Sequence, residues 1–470
     1  MRKLFVFLAF TALFSTTAHA GGLMTNTNYH IAFDRMMARG ATFDIDAVFS
    51  NPAGLAWGHE GWQLSLNFQK PWQNRDISYN GIKYEGVASA PIVPALFASY
   101  KKDRWAVSSM IGIVGSGGFV EYDNGVPMFN VLLGSVVTSL TQNLHEKTNG
   151  FAPVVSPDQF DSEMKGKQYI YGGQLNFTYK ILDCLSAAAG FRVNYYDGYY
   201  RGHVKAIQDL GAYSSMPSSE LASLSLDVDQ KGWGFTPIIS VNYHQGPLTL
   251  TARYEFRTKI ETKNETNSLS ASLNSDKLIV APLSQLVQLG ALPAETATQM
   301  ATQIKTTVES GLATYTAPYQ DGAHTRYDMP ALLSVAAGYE FTPKLRATLE
   351  YHFFDDKNAK MANDRQDELT HGTHEFLAGV EYDINDRFTI SCGGQRTDYG
   401  LSDGYQQNTS FACDSYSIGL GGAWNINEKI RLNAGYFISI YSDYDKQASY
   451  GIETYSRTNN VIGLGIDYKF

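Results

Sequence analysis

The chain has 470 residues, a net charge of −9 and no basic block, which argues against a nucleic-acid partner. No stretch supplies about 20 consecutive apolar residues, so a helical membrane protein is excluded. Thirty Tyr, 25 Phe and 42 Gly instead suit the aromatic girdles and crowded strand faces of a β-barrel, a class whose members run long as single units.

Residues 1–20 carry Arg2-Lys3, an apolar run from Leu4 to Phe14, and Ala18-His19-Ala20 before Gly21, the layout of a cleavable secretory signal. The run is too short to span a bilayer and no Cys follows it, so the mature chain is expected to begin near Gly21, with neither an inner-membrane anchor nor a lipid anchor. Cys184, Cys392 and Cys413 are odd in number and unrelated in spacing. They form no disulfide framework, although one pair stays open in an oxidising compartment.

Residues 21–61 do not alternate. They contain short helical pieces broken by Gly40 and Pro52, and Ile31, Met36, Met37, Val48, Phe49 and Leu55 are too apolar for a disordered tail. This segment needs somewhere to be buried. In Asn51-Pro52-Ala53, Asn51 can close an Asx turn and Pro52 fixes φ, which sets a rigid corner just before the first strand.

From residue 62 the chain alternates apolar with polar or small residues, as half-buried strands do. Fourteen strands are expected, over 62–70, 92–101, 104–119, 166–181, 184–202, 224–245, 248–262, 324–341, 344–355, 372–384, 387–398, 412–425, 429–443 and 458–470. Six short turns, each preceded by an aromatic residue (Tyr100, Tyr179, Tyr243, Tyr339, Tyr382, Trp424), alternate with seven long polar segments. All six aromatics share the parity of the aliphatic residues, which predicts a girdle at one membrane interface. The last strand ends on Phe470, with Ile462, Leu464, Ile466 and Tyr468 on the lipid side and Asp467 and Lys469 on the other. The opposite face is polar in most strands, including Arg192, Arg253, Arg257, Glu255, Arg346, Glu350, Glu375 and Glu381. A dry sandwich core would not hold these charges; a wet or plugged lumen would. The expected fold is therefore all-β: a 14-stranded antiparallel transmembrane β-barrel of the bacterial outer membrane over 62–470, with helical extracellular loops.

Arg39-Gly40-Ala41, Asp44, Asp46, Ala47 and Asn51-Pro52-Ala53, placed in a segment of this length ahead of fourteen strands that close on Phe470, resemble the FadL family of outer-membrane transporters for long-chain fatty acids and other hydrophobic compounds. The resemblance implies that residues 21–61 form a hatch plugging the barrel, with Arg39, Gly40, Asn51, Pro52 and Ala53 within it. It also implies an inward kink of the third strand that opens a lateral gap, and a hydrophobic capture groove in the extracellular loops.

The third strand holds Gly112, Gly115, Gly117 and Gly118, a density that marks a bulge or bend. A lateral opening and simple crowding against the hatch both fit. Ser116 is no hydrolase nucleophile, because position 114 is Val and no strand-to-helix turn follows. Helical spacing recurs in Met128, Phe129, Leu132, Leu133, Val136, Val137 and Leu140, and in Ala297, Met300, Ala301, Ile304, Val308 and Leu312 after Pro293, with a shorter piece at Leu283, Leu286 and Val287. Phe129, Leu133, Met300 and Ile304 are the candidate capture residues, and soft Met side chains suit an adaptable apolar site.

A carboxylate ligand would want a lumen cation, for which Arg192, Arg253 and Arg346 have the right parity; internal pairing with the lumen glutamates is the competing role. His371 and His374 are expected on opposite faces of a strand and therefore not to share a metal. The acidic run Asp355, Asp356, Asp364, Asp367 and Glu368 is read as solvated loop charge. The expected function is passive uptake of fatty acids or aromatic hydrocarbons by a monomeric channel, with capture by loop helices, a hatch-gated lumen and lateral exit near the third strand. No cofactor, metal or catalytic set is expected; partners are a hydrophobic small molecule and membrane lipid. An outer-membrane lipase or protease, and a structural or adhesive barrel, are the alternatives.

Overall fold

A computed structural model describes residues 23–209 and 218–470, so the signal segment expected over 1–20 lies outside the described residues. Among them, fourteen antiparallel barrel strands follow one another in sequence order: β1 (Gly61–Tyr79), β2 (in three stretches, Ile82–Tyr84, Val87–Ser89 and Val93–Lys102), β3 (Trp105–Tyr122), β4 (Gln159–Leu182), β5 (Leu185–Gln208), β6 (Ser219–Gln245), β7 (Leu248–Glu255, then Glu261–Leu273), β8 (His324–Arg326, then Leu332–Thr342), β9 (Leu345–Phe354), β10 (Thr373–Asp383), β11 (Phe388–Asp398), β12 (Ser415–Asn425), β13 (Ile430–Tyr441) and β14 (Gly451–Lys469). β14 pairs back onto β1 from Gln63↔Lys469 to Tyr79↔Glu453, which closes the barrel and leaves no free edge. No described helix is long and apolar enough to cross a membrane.

The alternation predicted for β14 is physical: Ile462, Leu464, Ile466 and Phe470 are exposed on the outside, whereas Asp467 is buried inside. Tyr179, Tyr339, Tyr382 and Trp424 also point outward at the turn end of the wall, and Trp62 packs on Tyr100 at 4.9 Å between ring centroids. The outer surface is thus a lipid-facing band with an aromatic rim.

Two features of the wall differ from the expectation. The first hairpin has no long loop: β1 runs on to Tyr79 and turns at Asn80-Gly81, both with positive φ (50° and 76°). An Asn-Gly pair supplies that geometry cheaply, and it outweighed the polar character of residues 71–91. The second difference is height. β4, β5 and β6 run 24, 24 and 27 residues, whereas β10, β11 and β12 have 11 each, so one side of the barrel stands far above the other.

The lumen is filled by the N-terminal segment. Helix α1 (Ile31–Met36) is capped by His30, whose Nδ1 accepts the Ala32 amide at 3.1 Å. The other ring nitrogen, Nε2, lies 3.1 Å from Asp467 of β14 and 3.0 Å from Ser65 of β1. Helix α2 (Ala47–Ser50) and a 3₁₀ turn (Pro52–Trp57) follow. Helix α3 (Pro127–Lys147) lies in the loop after β3, and helices α4 (Ala281–Gln288) and α5 (Ala294–Thr316) lie in the loop after β7, as the apolar spacing predicts.

Candidate functional site

The hatch is fixed to the wall by two kinds of contact. Inward positions of β10 to β14 are occupied by Gly379, Gly393, Gly419, Gly421, Gly435 and Gly463, and α1 lies against them. The carbonyl oxygens of Met36 and Asp34 stand where Cβ atoms at Gly393 and Gly419 would be, at 1.8 and 2.4 Å. Only glycine leaves room for helix backbone that close to a strand.

The second kind of contact is polar. Arg39 donates to Asp46 (2.6 Å), Thr42 (2.7 Å) and Asp44 (3.1 Å), which curls the Arg39-to-Asp46 stretch into a closed loop. The amides of Arg39 and Gly40 donate to Glu350 Oε2 of β9 at 2.9 and 2.7 Å, and the Gly40 carbonyl accepts from Thr251 of β7. Glu350 also meets His352, whose other ring nitrogen meets Glu375 at 2.9 Å. Below them, buried Glu381 of β10 is bonded by Arg35 of the hatch and by Arg346 of β9.

Asn51-Pro52-Ala53 forms the corner its residues predict, and its polar atoms are spent on the barrel. Asn51 Oδ1 accepts the Gly54 amide, and its Nδ2 donates to Thr42 O and to Asn242 of β6 at 2.8 Å. The carbonyls of Pro52 and Ala53 accept from Thr178 of β4 and Ser186 of β5 at 2.8 and 2.6 Å. These hatch residues hold the plug in place; their neighbours are protein atoms.

The candidate lumen cations are similarly committed. Arg192 reaches Glu255, Asn194 and Gln174. Arg253 lies 4.1 Å over the Phe49 ring and donates to the Phe49 carbonyl. Arg346 is held by Glu381 and by Asp383 at 2.7 Å. The internal role considered for them is the one the geometry fills.

The glycines of β3 sit at a break in the wall. β2 pairs with β3 from Leu96↔Ile111 to Lys102↔Trp105 and again at Val87↔Glu121 to Ser89↔Phe119, with nothing between. Pro91 and Pro94 explain the break in β2, because neither has an N–H to donate. On its other side β3 stays on β4, but through two bulges, at Ile113/Gly115 and Ser116/Gly118. Gly112 and Gly115 border the unpaired stretch, and Gly117 and Gly118 lie in the second bulge.

The backbone exposed at this break is taken by the start of the hatch. Asn26 donates its amide to Val114 O at 3.1 Å and its side chain to Ile113 O at 3.2 Å, and the Tyr29 hydroxyl also reaches Val114 O. Met24 O lies 2.4 Å from where a Cβ on Gly115 would be. Residues 23–29 therefore cover the carbonyls left bare by the missing stretch of β2.

Above the lumen, Leu133 of α3 and Ile304 of α5 are buried in one apolar cluster with Val204 and Leu221 of the tall strands, and Phe129 and Met300 pack against it half-buried. The four capture candidates thus share one apolar cluster. A small groove of about 220 Å³ lies on another side of α5, between Leu312, Ala313, Thr316 and the β7 residues Leu269 and Ala271. A wider, shallow depression of about 930 Å³ runs down the lipid side of β8 to β12, past Ala337, Ala378 and Gly394, with Arg396 near its upper end.

His371 and His374 depart from the parity expectation. His371 lies in a bend before β10 rather than within a strand, and the two rings come to 5.1 Å. Their Nδ1 atoms are used by Gly372 O and by the Tyr351 hydroxyl, each at 2.8 Å. Among the described residues a different acidic group, Glu121, Asp123 and Glu163, is close enough to share an ion, and Lys165 already bridges two of its members at 2.6 Å. Asp356 is no solvated loop charge either: it is fully buried, with Oδ2 accepting the Thr373 amide.

With a plugged fourteen-stranded barrel, a break at β3 and helices in the outer loops all present, comparison with solved structures is decisive for the fold. The structure of a Pseudomonas aeruginosa FadL homologue superposes with a TM-score of 0.60, covering 96% of this chain and 100% of that one at 16% identity. The fold is that of the FadL-type channels. The P. putida toluene transporter TodX gives 0.56 at 13% identity, with 92% of this chain and 97% of that chain covered. The Ralstonia pickettii toluene transporter TbuX gives 0.50 at 13%, with coverage of 95% and 97%. A family model described as an outer membrane protein beta-barrel domain matches residues 286–470, which covers the FadL-type wall from α4 to the terminus. No curated protein matches the chain by sequence.

Four features of this FadL-type barrel were not singled out from the sequence. They are the glycine bed under α1, Glu350 and Glu381 as hatch anchors, the Glu350–His352–Glu375 chain, and Asn26 at the break. Inward glycines at matching depth in five successive strands were the available signal for the first.

Proposed function

We propose that this protein is an outer-membrane channel of the FadL family through which small hydrophobic molecules cross passively. The observation that carries the reading is the break between β2 and β3, whose exposed carbonyls are met by Asn26 and Tyr29 of the hatch. A barrel that only anchored or adhered would pair β2 with β3 throughout, because an unpaired backbone in lipid costs several kcal/mol. Here the wall can open there by moving seven residues of hatch, while α1 and Asn51-Pro52-Ala53 stay bound.

In this reading a ligand collects among the loop helices, enters the lumen and leaves sideways at Gly112 to Gly118. The solved proteins with this fold include toluene transporters and a FadL homologue, which supports an apolar cargo and a transport role over an enzymatic one. Fatty acids and aromatic hydrocarbons are the two cargo classes.

The test is a lock. In a background with Cys184, Cys392 and Cys413 replaced by Ser, cysteines at Asn26 and Val114 would tie the hatch to the break. Uptake of labelled fatty acid or toluene into liposomes should stop when the pair is oxidised and return with reductant. Equal uptake in both states would overturn lateral exit, and no uptake by the unlocked barrel would overturn the channel reading itself.

A further inference from the structure

The 930 Å³ depression on the lipid side of β8 to β12 has a deep part between two strands. Ala378 of β10 and Gly394 of β11 are register partners there, walled by Leu349 of β9 on one side and Ile418 of β12 on the other. Those two walls stand 66% and 52% exposed. The wall's own packing does not demand a glycine at 394. A Cβ built there meets only the Ser417 carbonyl, at 3.5 Å, which is ordinary contact. Gly393 beside it is forced by the Met36 carbonyl on the inner face, whereas the missing side chain of Gly394 leaves room only toward the membrane.

The next outward row toward the outer loops is Phe376, Arg396 and Tyr416. Arg396 is exposed and lies 5.4 Å from the centroid of the Tyr416 ring. Among the described residues its guanidinium makes no hydrogen bond or ion pair. The carboxylates above it are used elsewhere: Asp398 accepts the Gly400 amide at 3.2 Å, and Asp414 accepts the Tyr399 amide at 2.9 Å. Phe388, stacked on Trp424, marks the turn-end girdle of the same strand. At the usual rise and tilt Arg396 stands about 20 Å above it, close to the far edge of a hydrocarbon band about 25 Å tall. A cation at that height meets lipid headgroups, and guanidinium takes phosphate in a two-pronged contact.

We infer that the β8–β12 face is a binding site for the phosphorylated, several-chained glycolipid of the outer leaflet, lipid A. A phosphate sits on Arg396 and acyl chains lie over Ala337, Ala378 and Gly394. The breadth of the depression favours several chains: five strands about 4.8 Å apart span roughly 19 Å. β10 is half-way round the barrel from the break at β3, and β10 and β11 carry the glycine bed of α1 on their inner face. The lipid therefore braces the side of the wall on which the hatch is seated, away from the break. The site needs only an outer face in lipid, so its loss would leave the channel reading untouched.

Native mass spectrometry of the delipidated full-length protein tests it, with diphosphoryl lipid A, phosphatidylglycerol or phosphatidylethanolamine added in turn. Lipid A should be held roughly tenfold more tightly than zwitterionic phosphatidylethanolamine, the worth of a charged hydrogen bond. R396Q should erase that preference, and R387Q, at the turn end of the wall, should keep it. G394F should weaken all three lipids while the barrel still closes, since position 394 accepts a Cβ without a clash. No preference in the wild type, a preference that survives R396Q, or unchanged binding by G394F overturns the site. Equal retention of two-chained phosphatidylglycerol overturns the assignment to lipid A, and a protein dimer in place of the lipid adduct gives the face to a second copy and overturns it as well.

Discussion

The carbonyl oxygen of Met36 lies 1.8 Å from the point a Cβ on Gly393 would occupy. Hatch and wall are therefore in backbone contact at this point, and β11 cannot carry any larger residue there without moving α1.

Gly393→Ala should accordingly unseat α1 while the barrel still closes. The expected cost of such overpacking is about 1–3 kcal/mol. Hydrogen exchange of residues 31–37 should speed up relative to the wild type, with β14 exchange unchanged. Unchanged protection of α1 would show that the helix can slide along its glycine bed.

Glu381 answers two arginines, Arg35 and Arg346, in a buried setting. Glu381→Gln removes the charge the two arginines share, leaving Arg346 with Asp383 and Arg35 with the neutral Ser391 hydroxyl, a loss of about 3–5 kcal/mol for the broken Arg35 pair. Heat-induced unfolding followed by electrophoretic mobility should shift to lower temperature. A double change to E381Q and R35M should recover part of the loss, because it removes one stranded charge.

Asn26→Ala removes the side-chain bond at the β3 break but leaves the amide bond to Val114. The hatch start should open more often, and passive uptake into liposomes should rise by a few-fold, consistent with about 1 kcal/mol for one hydrogen bond. Adding Tyr29→Phe should raise it further; a fall in uptake with either change would sink the idea that this segment is the moving part.

Burial pushes the Asp356 carboxyl up to about 7, opposed by the amides of Thr373 and Leu23. An acid whose value is raised on folding binds more protons folded than unfolded between its two values, so stability falls as pH rises from about 4 to 7. Normalised to an unstructured peptide cut under the same conditions, trypsin should thus cut the loop at Arg365 faster at pH 8 than at pH 6. Asp356→Asn should slow cutting at pH 8 and erase most of the difference. Because Asp356 also bonds the Leu23 amide, the same pH change should loosen the beginning of the hatch.

Much of the wall was legible because lipid on one side imposes a strict alternation: the parity of Ile462, Leu464, Ile466 and Phe470 could be read without any partner. The helices of the outer loops were legible from apolar spacing because each buries one face against its neighbours. What escaped was set by partners distant in sequence. Glu350 was recognisably inward, but that it binds the amides of Arg39 and Gly40 depends on a segment some 310 residues away. Glycine is silent in another way: Gly393 and Gly419 tell of weak strand propensity, and only the folded hatch shows that a helix backbone fills the space. The His371 and His374 error has a local cause, because strand parity was extended two residues past the point where β10 begins.

The difference between strands of 24 residues in β4 and 11 in β11 has its own consequence. At the usual rise and tilt, the tall side stands roughly 30 Å higher than the low side. The pore entrance is therefore slanted, like a sail beside an open deck. Bulky surface binders such as antibodies or phage tails meet the β4–β6 sheet and its helices first. A small solute bound for the proposed capture cluster meets the same side, because Phe129, Leu133, Met300 and Ile304 pack there with Val204 and Leu221 of the tall strands.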